Sequence, residues 1–108
     1  MKLSVIGALT VAMTVLVKDE AIKCSKVEVS DLSTGELFNV RALAKEGEYL
    51  SLHELAAKTK LIDDTGCQHP ITYEMLRDTS SANFKKLEEL DFDLQVKLKA
   101  ESLENQSS

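Results

Sequence analysis

Cysteine is scarce in this chain, with only Cys24 and Cys67 among 108 residues. The two thiols are far apart in sequence, and no C-x-x-C spacing occurs. Neither a disulfide framework nor a zinc cluster is therefore predicted. We expect two reduced thiols and no metal or other cofactor.

Positive charge is also in short supply, because 13 Lys and Arg residues face 18 Asp and Glu residues, for a formal net charge of −5. No run of basic residues is interleaved with aromatics, and a negative surface repels phosphate, so nucleic acid is excluded as a partner. The apolar fraction of 44% is enough for a core. The length favours one domain, which we place at residues 1–104, with a polar C-terminal tail at 105–108.

No apolar run is long enough to cross a membrane as a helix, which takes about 20 residues. The longest run, residues 3–17, follows Lys2 and contains polar positions. It has the layout of a secretory signal, but the charged residues 18–20 follow it in place of a small-residue cleavage site. Residues 10–17 alternate in polarity, which is typical of a half-buried strand. We favour the strand and keep the signal segment as the alternative.

The alternation predicts a strand pair in the N-terminal third. One face of the first strand carries Val11, Met13, Val15 and Val17. A second apolar series, Ile22, Cys24, Val27 and Val29, changes parity in the middle, where a bulge would restore one inward face. Leu3–Ile6 can add a third, shorter strand. We therefore predict an N-terminal antiparallel β-hairpin or small meander.

Everything after the hairpin is predicted to be helical, which makes the fold class α+β with three to four helices, the last one long. Capping boxes at 33–36 and 51–54 mark two helix starts, and Gly47 offers a stop for the first helix. Residues 61–71 are predicted to be an irregular connection, after which Thr72 caps one short turn. Ser80 or Ser81 then caps the long helix, whose core stripe is Phe84, Leu87, Leu90, Leu94 and Leu98.

Asp64-Thr65-Gly66 matches the active-site triplet of aspartic proteases. Such enzymes need two of these carboxylates on loops of an all-β fold, close enough to share a proton. The same three residues are also good turn formers. Because this chain is predicted to be rich in helix, we interpret the triplet as a turn, and a dimeric protease remains a remote alternative.

Other polar residues do not add up to a site. Cys67 and His69 would need further residues to form a catalytic pair or a zinc site, including ligands as distant as Cys24. His53 is interpreted as a satisfied boundary residue. The acidic run Glu88, Glu89, Asp91 and Asp93 lacks the pattern of a calcium loop and is interpreted as a solvated helix face. We predict no catalytic, cofactor-binding or metal-binding residue, and no enzymatic activity.

Two apolar residues of the last helix fall outside its core stripe. Phe92 and Val96 lie one turn apart and form a second ridge. If the main stripe fills the core, this ridge is free to contact another subunit or a partner protein. Phe92 and Val96 are therefore the predicted partner-binding residues.

The order of these segments resembles that of the small tail assembly chaperones of tailed bacteriophages and Mu-like prophages. A strand pair, VAMTVLVKDEAIKCSKVEVSDLSTGEL, leads through a Thr-Gly-Glu helix start to LSLHELAAKTKL and then to MLRDTSSANFKKLEELDFDL. The resemblance covers roughly residues 10–98 and lies in the apolar pattern.

The resemblance implies a protein of the host cell cytoplasm that binds the tape-measure protein and recruits tail-tube subunits. A longer frameshifted form is common in such proteins. The mechanism would be to cover apolar helix surface on a long partner, without reacting groups. A small secreted or periplasmic binding protein is the alternative, and self-association into a homo-oligomer stays open.

Overall fold

The computed structural model describes residues 3–107, with side-chain surroundings for residues 3–101. Within the described residues there are four strands and four helices, in the order β1 Ser4–Val17, β2 Glu20–Ser30, α1 Thr34–Leu43, α2 Leu50–Lys58, β3 Thr59–Asp63, β4 Gln68–Pro70, α3 Tyr73–Asp78 and α4 Ser81–Ser107. The predicted α+β class, with an N-terminal antiparallel hairpin and a long last helix, is confirmed.

The hairpin of β1 and β2 is the largest part of the sheet. Its turn residues Lys18 and Asp19 have φ values of 51° and 65°, as a tight two-residue connection requires. Met13 and Val15 are buried on the inner face, so the strand predicted over residues 10–17 is confirmed. The separate strand predicted at Leu3–Ile6 is wrong, because Ser4 and the residues after it already belong to β1.

A large bulge interrupts β1. Ala8 pairs with Lys26 and Met13 pairs with Cys24, so residues 9–12 stand opposite Ser25 alone. The extra residues move Val11 off the inner face, and its side chain is 50% exposed, although the alternation placed it in line with Met13. In β2 the expected bulge is confirmed, because pairing with β3 shifts between Cys24 and Lys26.

The segment at 61–71 is a hairpin and not an irregular connection. β3 pairs antiparallel with β2 and with β4, which gives the sheet order β1-β2-β3-β4. Sequence patterns pointed to a loop because Gly66 and Pro70 break periodicity. Pro70 is tolerated because it ends the short strand at the edge of the sheet.

Some of the predicted helix starts are confirmed, and one is wrong. Ser33 caps α1 with both bonds of a capping box, and the Thr72 hydroxyl accepts a hydrogen bond from the Met75 amide at the start of α3. The second predicted capping box does not form, because α2 begins one residue before Ser51, with Tyr49 as its N-cap and no side-chain bond. The first helix ends at the Ala44 cap, before Gly47.

The core lies between the sheet and the helices. α4 packs across β1 and β2, and it buries Leu87, Leu90 and Leu94. Gly7 allows this close approach, since a Cβ on residue 7 would lie 2.7 Å from a methyl carbon of Leu90. α1 buries none of its residues and packs at the edge, mainly against α2. The predicted polar tail at 105–108 lies outside the residues with described side chains.

Candidate protein-binding surface

The outer face of α4 carries an apolar ridge formed by Phe92 and Val96. Phe92 is 68% exposed and Val96 is 53% exposed. At about 100° per residue, Phe92 lies roughly 180° around the helix axis from the buried Asn83, so the ridge points away from the sheet. The exposure expected for these two residues is present.

A shallow depression lies beside Phe92 on the same helix face. Its other lining residues are Lys85, Glu88, Glu89 and Asp93. Glu89 makes a loose contact with Lys86, with 3.9 Å between the charged atoms. The side chains around the ridge are therefore charged and mostly exposed, and they form a polar rim around an apolar centre.

One member of the acidic run is half-buried, with its side chain 33% exposed. Asp91 forms an ion pair with Lys58 at the end of α2, and the side chain of Lys58 is largely buried there. A second ion pair, 2.7 Å between Arg41 Nε and Glu54 Oε1, joins α1 to α2. These pairs fix the helical layer on the side of α4 that lies away from Phe92 and Val96.

The Asp-Thr-Gly triplet occupies the turn of the β3–β4 hairpin, as the turn interpretation expected. Gly66 has a φ of +87° and donates its amide to the Asp63 carbonyl at 3.0 Å. The organising carboxylate is that of Asp63, one residue before the triplet. Its Oδ1 accepts hydrogen bonds from the Thr65 amide at 2.8 Å and the Thr65 hydroxyl at 2.6 Å. Asp64, the residue corresponding to the protease position, is exposed.

Asp63 also accepts a hydrogen bond from His69. The distance from His69 Nε2 to Asp63 Oδ2 is 2.8 Å, and a carboxylate can only accept, so Nε2 carries the hydrogen. The bonds from His69 and then Thr65 hold the pKa of Asp63 well below its usual range. The sequence offered a signal for this role, because an Asp two residues before a Thr is the pattern of an Asx turn.

Cys67 and His69 do not pair with each other. The His69 ring bonds to Asp63, while Cys67 is exposed and its amide donates to Asp63 at 3.1 Å. Cys24 is buried, and burial raises the pKa of its thiol, with Asp63 as a further cause. Within residues 3–101, no group of three or more His, Cys, Asp or Glu side chains is arranged to hold a metal ion.

His53 has the bonded boundary position that its sequence context indicated. Its ring stacks on Tyr73, with 4.3 Å between centroids, and Nε2 lies 2.9 Å from Glu48 Oε1. The Tyr73 hydroxyl in turn accepts the Tyr49 amide at 3.2 Å. These contacts lock α2 onto α3 and give His53 a structural role.

Several exposed apolar residues were missed from sequence. Ile6 and Leu16 lie on the outer face of the sheet, and Phe38 and Leu43 lie on α1. Phe38 packs beneath the Arg41 guanidinium, 5.5 Å from the ring centroid. The strand and helix periodicities either place these four residues in the core or assign them to neither the core nor the surface. Their exposure is evident only from the way the sheet and the helices pack.

Comparison with protein-family models, curated proteins and solved structures finds no match to this chain. Among the described helices, none is both long and apolar enough to cross a membrane. The chain has a two-layer α+β fold. Its candidate site is the apolar ridge of Phe92 and Val96 on α4.

Proposed function

We propose that this chain is a non-enzymatic protein-binding protein of the tail assembly chaperone type. It binds a long helical partner, the tape-measure protein, and recruits tail-tube subunits in the host cell cytoplasm. The observation that carries the proposal is the exposure of Phe92 and Val96 on the outer face of α4. Large apolar side chains at adjacent turns of a helix suit docking of a second amphipathic helix.

The pattern of segments supports the same proposal. The order of strand pair, Thr-Gly-Glu helix start and following helices is the one in which the chain resembles tail assembly chaperones. A chaperone of this type needs apolar surface and no reacting groups. Asp63 and His69 are side chains of types that can act in acid–base chemistry, and they are hydrogen-bonded to each other within the β3–β4 hairpin.

The gene offers a first test. A slippery heptanucleotide near its 3′ end, followed by an overlapping frame and a very long helical reading frame, is expected if the chain is a tail assembly chaperone. Absence of all three features would contradict this assignment.

The binding test uses the affinity-tagged chain, co-expressed with the product of that long helical reading frame. Phe92→Asp and Val96→Asp are each expected to weaken capture roughly 30-fold, because a central apolar contact contributes about 2 kcal/mol. Phe38→Asp is the matched control, since Phe38 is an exposed aromatic residue of another helix. Capture should be quantified by titration of the purified proteins.

Full capture by Phe92→Asp and Val96→Asp would contradict the proposed role of the ridge. So would loss of capture in Phe38→Asp alone. Circular dichroism of each variant checks that the helices remain folded, because all three positions are solvent-exposed in the monomer.

A further inference from the structure

The outer face of α4 has the spacing of a helix-pairing surface. Lys85, Glu88, Glu89 and Phe92 follow one another at i, i+3, i+4 and i+7 and surround the depression beside the aromatic ring. Four residues with this spacing form the hole that receives a side chain from a facing helix. Lys99, two turns after Phe92, lies on the same stripe and is exposed.

The stripe complements itself when a second α4 is laid against it in the opposite direction. With Phe92 opposite Val96 of the second copy, Val96 is opposite Phe92 of that copy. The same register sets Glu89 opposite Lys99 of the second copy, and twofold symmetry repeats the contact. One antiparallel alignment therefore matches apolar with apolar at its centre and acid with base at both ends.

We propose that the chain forms a homodimer in which α4 packs antiparallel against α4 of a second copy. Phe92 packs on Val96 across the twofold axis, and Lys99 enters the hole of the other copy between Glu88 and Glu89. A twofold contact uses the same patch on both subunits, so it closes as a dimer and does not extend into fibres.

Charge complementarity identifies a second copy as the occupant. In the described part of the chain, neither Lys99 nor Glu88 has an ion-pair partner, and Glu89 has only its loose contact with Lys86. The acidic hole and the cation that fits it are thus both free for a contact between copies. Opposite charges at such positions select partner and orientation in paired helices.

The inference rests on the docking role proposed above for Phe92 and Val96. One helix pair buries less than the roughly 1,200 Å² of a standard stable interface, so the dimer is expected to be weak. A partner helix can then replace the second copy on the same ridge. Self-association would protect the apolar ridge until the partner is present.

Sedimentation equilibrium of the purified chain up to about 1 mM tests the dimer. Glu89→Lys and Lys99→Glu each place like charges opposite one another twice, and each is expected to weaken dimerisation roughly tenfold. The double variant Glu89→Lys/Lys99→Glu should return to within about threefold of the original affinity. Lys23→Glu, which makes the same charge change as Lys99→Glu at an exposed position of β2, is the control.

Mixing the two single variants gives an independent readout. The Glu89→Lys chain is basic at both positions of the charge pair, and the Lys99→Glu chain is acidic at both. The mixed dimer should therefore form more readily than the dimer of either variant alone. A chain that stays monomeric to about 1 mM, or a dimer indifferent to these reversals, would overturn the proposal. A dimer insensitive to them would lie elsewhere, for example along the β1 edge.

Capture of the long helical partner by the same variants separates the two proposals. If dimerisation is absent while capture depends on Phe92, the proposed function stands and the homodimer fails. If dimerisation follows the charge swap while capture is absent, the reverse holds.

Discussion

Asn83 joins the bulge of β1 to the start of α4. Its side chain is fully buried and bonds both backbone groups of Val11, with 2.8 Å to the amide nitrogen and 2.8 Å to the carbonyl oxygen. A third bond, 2.9 Å, goes to the Thr79 hydroxyl. The carboxamide thus acts as a short strand neighbour for the bulge and fixes it to the first turn of α4.

Asn83→Ala should lower the free energy of unfolding by about 2 kcal/mol, because it leaves the amide and carbonyl of Val11 without their protein partners. Asn39→Ala, at an exposed position of α1, is the matched control and should change stability by less than about 0.5 kcal/mol. Urea denaturation of both variants gives the comparison. Equal effects at the two sites would show that the bulge does not depend on Asn83.

The lowered pKa of Asp63 predicts that the stability of the fold depends on pH. Its pKa is lower in the folded chain than the unfolded value of about 3.9, so the bonds of the ionised carboxylate stabilise the fold above that pH. This stabilisation is lost as pH falls below about 4. Asp63→Asn should therefore unfold at a lower temperature than the original chain at pH 7, with the gap narrowing towards pH 2.

The control for that experiment is Asp64→Asn, the exposed neighbouring residue, whose difference in melting temperature from the original chain should stay small across the range. Thermal melts followed by circular dichroism at pH 7, 5, 3 and 2 suffice. A gap for Asp63→Asn that is constant with pH would contradict the role given to its ionised form.

At the level of helices and strands, a capping sequence determines where one helix starts but not where another does. Ser33-Thr34-Gly35-Glu36 and Ser51-Leu52-His53-Glu54 carry the same capping pattern. Only the first forms, with 2.9 Å from the Ser33 amide to Glu36 Oε1 and 3.2 Å from the Glu36 amide to Ser33 Oγ. The second Ser lies inside α2, because the helix already begins at Leu50 and buries Leu55 and Ala56.

This difference can be measured with one substitution at each site. Ser33→Ala should cost about 1 kcal/mol of unfolding free energy, since it removes the N-cap oxygen. Ser51→Ala should be neutral or slightly stabilising, because alanine is the better residue within a helix. Chemical denaturation of the two variants tests the assignment, and an equal loss at Ser51 would show that it caps a helix after all.

The longest strand, β1, and the longest helix, α4, pack against each other. β1 lies at the edge of the sheet and carries no charged residue, while α4 crosses its inner face. The polarity pattern predicted that α4 would have one buried stripe and one spare ridge. The bulge in β1 was not visible in that pattern, because the unpaired residues 9–12 keep the alternation of a regular strand.

For the whole molecule, two layers leave two outward surfaces. The sheet presents Ile6 and Leu16 to solvent on one side, and α4 presents Phe92 and Val96 on the other. The α4 surface combines apolar residues with charges that complement themselves in the proposed antiparallel alignment. Both proposed contacts are therefore placed on this helical surface.

Local sequence patterns were sufficient to predict the fold class, the N-terminal hairpin, the caps at Ser33 and Thr72 and the spare ridge of α4. These features depend on interactions within a few residues, and local periodicity and hydrogen-bonding capacity are enough to specify them. Phe92 and Val96 could be singled out because a helix has a fixed angular period, so a residue outside the buried stripe must point elsewhere.

Two features became visible only in the folded molecule: residues 59–70 join the sheet, and Asn83 holds the β1 bulge. Both depend on contacts between distant segments, because β3 pairs with β2 residues thirty or more positions earlier, and Asn83 bonds Val11 across 72 positions. Strand pairing satisfies backbone groups of a short segment whose own sequence favours a turn, so long-range hydrogen bonding overrides the local pattern there.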